Sequence, residues 1–370
     1  MTFICSRSEI RHKLIEWYNT AGRALPWRET RDPYAIWLSE VILQQTRVDQ
    51  GMSYYHRFLQ AYPTVQDLAS ASEDEVLHLW QGLGYYSRGR NLLKAARIIS
   101  DEYKGVMPLD YKSVRALPGI GDYTAAAIMS FAYNIPHATV DGNIYRVLSR
   151  LCAIDTPIDS TQGKKIFQKQ ADLLLDPKHP GAHNQAIMEL GALCCTPKNP
   201  QCDTDCPLPD CCAAYKLGLT AKLPVKQGKV QVKDRYFHYF FIKYALLSGQ
   251  KVQTYTFIKK RPAGDVWQGL YEVPLIETPS DMGVESIIAL EEYQAIIRMA
   301  EHPPSLSGPL AKLKHILTHR RIYADLYLLE FTGTQLPSLD GYEAIPITRI
   351  DEYAFPQLIK KLFNTINFLL

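Results

Sequence analysis

The chain has 370 residues, of which 46% are hydrophobic, 21% charged and 11% aromatic; this globular composition has room for two or three domains and excludes a disordered or fibrous chain. No apolar run approaches the roughly 18–20 residues that span a bilayer, and the start MTFICSRSEI has no cleavable apolar core, so a soluble, intracellular chain is expected. Of the net charge of +3, residues 1–212 contribute 22 Lys+Arg against 23 Asp+Glu, residues 213–235 contribute 6 against 1, and residues 236–370 contribute 13 against 14. The basic connector between two near-neutral halves is either a solvated linker or a track for a polyanion.

The first 212 residues read as helix after helix, with segments at Tyr34 to Gln50, Asp74 to Trp80, Arg88 to Tyr103, Asp122 to Tyr133 and Asp141 to Cys152. In the last, Ile144, Val147, Leu148 and Leu151 share one face at helical spacing. Gly218, Pro224 and Gly228 among lysines mark a linker at 213–235. From Tyr236 the period changes to that of strands, at Tyr236 to Ile242, Thr254 to Ile258 and Tyr323 to Leu329. Helical segments near Ser286–Met299 and Phe355–Phe368 make residues 236–370 an α+β domain, against an all-α domain at 1–212.

Three places could carry chemistry. The turn Leu117-Pro118-Gly119-Ile120-Gly121 opens a helix with two glycines, and its free N–H groups suit a phosphate oxygen as well as a tight helix connection. Asp141, at the start of the next helix, serves as an N-cap or as a carboxylate kept at low pKa by backbone N–H bonds, able to stabilise positive charge on a sugar. Glu40 is the only ionisable group in Ile36-Trp37-Leu38-Ser39-Glu40-Val41-Ile42-Leu43. It either turns outward or is buried, and burial would raise its pKa and keep it protonated as a general acid. Two carboxylates with pKa values pushed apart are the usual equipment for breaking a glycosidic bond.

Six of the eight cysteines crowd into residues 194–212, which points to a metal site in a reducing compartment. The spacing Cys195-x6-Cys202-x3-Cys206-x5-Cys212 lacks the paired C-x2-C of zinc ribbons, and four such thiolates can hold an iron–sulfur cluster. Zinc on the same four remains an alternative, and Cys194 and Cys211 are possible substitute ligands.

Taken together, Leu25-Pro26-Trp27-Arg28, Trp37 to Val48, Gln81-Gly82-Leu83-Gly84-Tyr85-Tyr86-Ser87-Arg88, Leu117 to Gly121, Val140-Asp141-Gly142-Asn143 and Asn184 to Ala192 resemble the MutY family of adenine DNA glycosylases, within the helix-hairpin-helix glycosylase superfamily. The motifs follow the family's order and, with the cysteines, cover residues 25–212; the hairpin motif lies at about 115–135. The resemblance implies that Glu40 protonates adenine and assists water, that Asp141 stabilises the oxocarbenium ion or attacks C1′, and that Tyr123 and Asn143 position the base. Leu25, Trp27, Arg28, Gln185 and Glu189 map onto the adenine pocket, Gln45 and Tyr85 onto residues entering the opened base stack, and Gly119 and Gly121 onto the DNA-binding hairpin. Relatives that also nick the strand carry lysine where Tyr123 stands, so base removal without strong lyase activity is expected. A bifunctional glycosylase/lyase and a catalytically silent damage-binding module are the rival readings.

By the same resemblance Cys195, Cys202, Cys206 and Cys212 hold a [4Fe–4S] cluster in loop 195–212, although the family's middle spacing is two residues and here it is three. Lys198 and the loop backbone could then face a phosphate. Residues 236–370 resemble the family's Nudix-like domain at Lys260-Arg261-Pro262 and Trp267-Gln268-Gly269-Leu270-Tyr271-Glu272-Val273-Pro274. Leu317, Thr318 and His319 would recognise 8-oxoguanine opposite adenine, with leucine and threonine replacing the family's phenylalanine and serine. Glu291-Glu292 lacks the flanking Arg-Glu and Gly of working Nudix hydrolases, so pyrophosphatase activity is not expected. The implied partner is duplex DNA with 8-oxoguanine·adenine or guanine·adenine mispairs, met by a cytoplasmic, nucleoid-associated bacterial monomer.

Overall fold

The structure, a computed structural model, describes residues 3–228, 231–300 and 302–366. Lys229 and Val230 of the expected linker, and the end of the expected helix at 367–368, lie outside the described residues. The chain forms two compact units that are not contiguous in sequence: the first runs to Ala71 and resumes at Asn91, and the second joins Ser72–Arg90 to the C-terminal part.

The first unit is helical, with no strand among its described residues: α1 (Arg7–Ala21), α2 (Pro33–Leu43), α3 (Val48–Ala61) and α4 (Val65–Ser70) precede the segment 72–90. That segment carries α5 (Glu73–Leu79) and the start of α6 (Ser87–Glu102); α7 (Tyr111–Ala116), α8 (Asp122–Phe131), α9 (Gly142–Leu151), α10 (Thr161–Leu174) and α11 (Pro180–Leu193) follow. The apolar face of α9 behaves as its spacing requires: Ile144, Val147, Leu148 and Leu151 are buried in a core shared with α1, α10 and α11. Asp141 caps this helix by accepting a bond from the Ile144 N–H at 2.8 Å.

The helix expected from Tyr34 to Gln50 is two helices. α2 stops at Leu43, Gln45 takes a left-handed conformation with φ of 55°, and Arg47 opens α3 from an extended conformation. The break lets α3 fold back on the end of α2, with Gly51 so close to Leu43 that a Cβ there would meet its Cδ2 at 2.8 Å. No glycine or proline marks the turn in sequence.

The second unit is built on a seven-stranded mixed sheet. Its strands are β1 (Lys233–Ser248), β2 (Lys251–Lys260), β3 (Tyr271–Glu272), β4 (Leu275–Thr278), β5 (Ser305–Ile316), β6 (Arg320–Gly333) and β7 (Glu343–Pro346). The order is β3-β2-β1-β6-β5, with β4 also on β1 and β7 on β2; β1 and β6 are parallel and every other pair is antiparallel. Alternation along β1 sends Phe237, Tyr239 and Phe241 to a core shared with the helix Gln357–Phe363. Phe240, Ile242 and Tyr244 go to the opposite core, under Val284–Ile288 and Glu291–Ile297. The latter two helices replace the single one expected near 286–299, and among the described residues the helix expected at 355–368 spans Gln357–Phe363.

Candidate active site and cysteine loop

A cleft of about 1850 Å³ opens in the first unit and is lined by Leu25, Trp27, Arg28, Glu40, Gln45, Gly121, Tyr123, Asp141, Asn143, Gln185 and Glu189. These residues come from five separate stretches of chain. Glu40 lies at its floor because α2 is buried from Tyr34 to Ile42 and carries the carboxyl in with it. Loss of hydration raises the Glu40 pKa to about 7; a hydrogen bond from Tyr123 opposes that rise, while the negative charge of Asp141 adds to it. The Tyr123 phenol is pushed well up by the same burial and also touches the Met188 sulfur at 3.6 Å.

Asp141 departs from the expectation of a depressed pKa. It does accept from Ile144 N–H and, through Oδ2, from the Asn143 amide at 2.9 Å, but its desolvation at the cleft wall outweighs these bonds and raises its pKa. The capping bonds therefore fix the orientation of the carboxylate and offset only part of its desolvation. Asn143 is itself held by Arg146, whose guanidinium donates to Asn143 Oδ1 at 2.8 Å and to the carbonyl of Cys195 at 2.6 Å.

Glu189, also in the cleft lining, has the reverse electrostatics. Burial alone would raise its pKa, yet the side chains of Arg23 and Arg28 donate to both its oxygens at 2.7–2.8 Å and hold it at about 2. Arg28 also lies over the Tyr18 ring, and the Tyr18 hydroxyl donates to Gln185 Oε1 at 3.1 Å. Arg23, Tyr18 and Met188 are side chains at the site to which the sequence assigns no role, Met188 falling inside the motif Asn184 to Ala192. Their partners are 65 to 167 residues away, and no local pattern announces them.

Gly119 and Gly121 build the hairpin turn before α8. Gly119 has φ of +77° and approaches Asn91 so closely that a Cβ would lie 2.7 Å from its Cβ. Gly121 is the N-cap residue of α8, which has no side-chain cap, so the first N–H groups of this helix remain for an outside acceptor. Gln45 is exposed beside the cleft in its left-handed turn. Tyr85 is outside it, in the second unit, half exposed and with φ of 47°. Its hydroxyl is 2.8 Å from that of Thr318, in the turn that joins β5 to β6. In this turn Thr318 and His319 are exposed, whereas Leu317 packs on the sheet core; Ile316, the last residue of β5, is an exposed apolar side chain beside it.

Cys195, Cys202, Cys206 and Cys212 are free and partly buried, and their thiols sense one another electrostatically. Four free thiols on one loop without a histidine form a donor set whose chemistry fits an iron–sulfur cluster. Arg150 donates to Cys195 Sγ at 3.3 Å, and a hydrogen bond from Cys194 lowers the Cys206 thiol to about 7, which favours thiolate. Cys211 is not a spare ligand: it forms a disulfide with Cys5, 206 residues away. Lys198 is exposed on the loop.

Residues 38–172 match the family model of HhH-GPD superfamily base excision DNA repair proteins, and residues 245–365 match a NUDIX domain. The chain is 34% identical over 270 residues to the adenine DNA glycosylase of Buchnera aphidicola subsp. Baizongia pistaciae, covering 73% of this chain and 74% of the relative. It is 44% identical over 233 residues to the adenine DNA glycosylase of Mus musculus, covering 60% of this chain but only 45% of that longer relative. Among solved structures, a thermostable thymine-DNA glycosylase superposes with a TM-score of 0.53 at 28% identity, over 57% of this chain and 97% of its own. No helix among the described residues is long and apolar enough to cross a membrane. With a helical glycosylase unit, a Nudix-like α+β unit and a relative matched over most of its length, the chain belongs to the MutY family of adenine DNA glycosylases.

Proposed function

We propose that the protein hydrolyses the N-glycosidic bond of adenine mispaired with 8-oxoguanine or guanine in duplex DNA, after the adenosine has been flipped into the cleft. The observation that carries this reading is Glu40, buried on a helix with no other acid and with its pKa raised to about 7 beside Tyr123 and Asp141. A carboxyl with that pKa is protonated in a useful fraction at neutral pH and can give its proton to the departing base. Once adenine begins to leave, the sugar carries positive charge at C1′, and Asp141, fixed by Ile144 N–H and Asn143, is the anion that stabilises it or bonds to it. Water then adds its hydroxyl to C1′ and returns a proton to Glu40, so that neutral adenine and an abasic site are released.

Tyr123 supplies no amine for a Schiff base, which supports a monofunctional enzyme. Trp27 and Leu25 offer apolar faces to the base, while Arg28 and Gln185 offer polar groups along the wall fixed by Glu189. The uncapped start of α8 suits a DNA phosphate, and Gln45 and Tyr85 are exposed enough to fill the gap left by a flipped nucleotide, whose extrusion costs a few kcal/mol. Thr318 and His319 would read 8-oxoguanine on the opposite strand. Cys195, Cys202, Cys206 and Cys212 would hold a [4Fe–4S] cluster, which when bound ties loop 195–212 together.

The test is a single-turnover assay on an end-labelled duplex carrying one 8-oxoguanine·adenine pair, with alkali-treated and untreated halves. Cleavage of the adenine strand only after alkali, lost in Glu40→Gln and Asp141→Asn, is expected. Binding without any abasic product would make the protein a damage-binding module, and breakage without alkali would make it a lyase.

A further inference from the structure

The β2–β3 loop holds both arms of the β5–β6 hairpin. Trp267 in this loop has φ of +61°, a conformation that a bulky residue adopts only when its surroundings enforce it. Its ring meets His315 on β5 edge-on at 5.7 Å, and the Arg261 guanidinium lies 5.9 Å from the ring centre. Two residues earlier, Asp265 accepts a bond from Arg320 on β6 at 3.3 Å and is braced by Arg235 at 3.0 Å. His315 and Arg320 flank the turn 317–319, which is closed by the Leu317 N–H donating to the Arg320 carbonyl at 2.8 Å.

We propose that Trp267 is a positioning residue for mispair discrimination: with Asp265 it clamps the two arms of the hairpin and sets where Thr318 and His319 stand. This rests on the reading of that hairpin as the 8-oxoguanine reader. The turn presents two exposed polar side chains; beyond its closing bond, the Lys233 N–H donates to the His319 carbonyl at 3.0 Å and the Tyr85 hydroxyl lies 2.8 Å from that of Thr318. Those bonds hold the tip, while its two arms are gripped at the base by the β2–β3 loop, and contacts that must be met within a fraction of an ångström are lost when such a grip is released. A strained backbone at the gripping residue fits this role, since the strain persists only where the neighbouring contacts over-determine it.

The test compares single-turnover excision of adenine opposite 8-oxoguanine and opposite guanine. Trp267→Gly removes the ring and suits the left-handed backbone but gives up its packing on Phe237, so a thermal melt first establishes that the variant is folded; Trp267→Phe keeps a ring against His315. Trp267→Gly should lower the 8-oxoguanine-to-guanine rate ratio roughly tenfold, Trp267→Phe should restore most of it, and amide exchange in residues 311–320 should quicken in the glycine variant alone. An unchanged ratio in Trp267→Gly, beside a collapsed ratio in a Thr318→Ala/His319→Ala protein, would overturn the inference and leave the hairpin as reader. An unchanged ratio in that double variant would overturn the reading and the inference with it. Equal loss on both substrates, not rescued by phenylalanine, would reduce Trp267 to a structural residue and also overturn the proposal.

Discussion

Two parts of the cleft lining bury the same functional group and reach opposite results. Glu40 and Glu189 are both buried, 7% and 1% exposed, yet one has its pKa raised to about 7 and the other has it held at about 2. The difference lies in partners. Glu189 receives two guanidinium groups, whereas Glu40 has a phenol, a second carboxyl and only a distant influence of Arg28. Burial with compensating cations gives an anchor that stays ionised and orients the wall; burial without them gives an acid that can release a proton near neutral pH.

The two regions should therefore break in different ways. The largest effect is on rate: Glu40→Gln should slow single-turnover excision by about 10²–10⁴-fold while duplex binding, followed by fluorescence anisotropy, persists. Next is the stability of the wall. Glu189→Gln leaves Arg23 and Arg28 without their anion and should cost about 3 kcal/mol in a denaturant melt at pH 7, tempered because Arg23 is about a third exposed. In the wild type that contribution is present above the ordinary carboxyl pKa and is lost as pH falls through about 2.

Glu40 should show the opposite sign. Its folded state holds a proton that the unfolded chain releases above about 4.5, so stability declines as pH rises from there through about 7. Glu40→Gln removes this penalty and should be more stable than wild type at pH 8, by up to about 3 kcal/mol, and equal to it near pH 4. Equal stability at both pH values would mean that the floor is better solvated than its geometry indicates. The smallest effect sharpens the same point: Tyr123→Phe removes the hydrogen bond that lowers the Glu40 pKa and should move the alkaline limb of the rate profile upward by less than about one unit.

What was legible in the sequence follows from how local its cause is. The apolar run around Glu40 carries the burial of that residue within one helix, and the spacing of Ile144, Val147, Leu148 and Leu151 carries the core face of α9. The parity of Phe237 to Tyr244 likewise carries both sheet cores. The raised pKa of Asp141 was not legible, because capping is local while desolvation comes from every element around the cleft. The turn at Gln45 has no glycine, so helical spacing runs through it unmarked. The Arg23–Glu189 contact and the Cys5–Cys211 bond join residues 166 and 206 positions apart, and the association of 72–90 with the second unit depends on contacts such as Lys260–Asp74 and Gln81–Phe355. Such pairings are properties of the folded chain.

The most direct test of Glu40 as a buried acid is the pH dependence of single-turnover excision on an 8-oxoguanine·adenine duplex, for wild type and Glu40→Gln. The wild-type rate should fall about tenfold per pH unit once the pH exceeds roughly 7, and the residual rate of Glu40→Gln should lack that limb. A wild-type rate that stays flat between about pH 6 and 9, or an identical alkaline limb in both proteins, would contradict it.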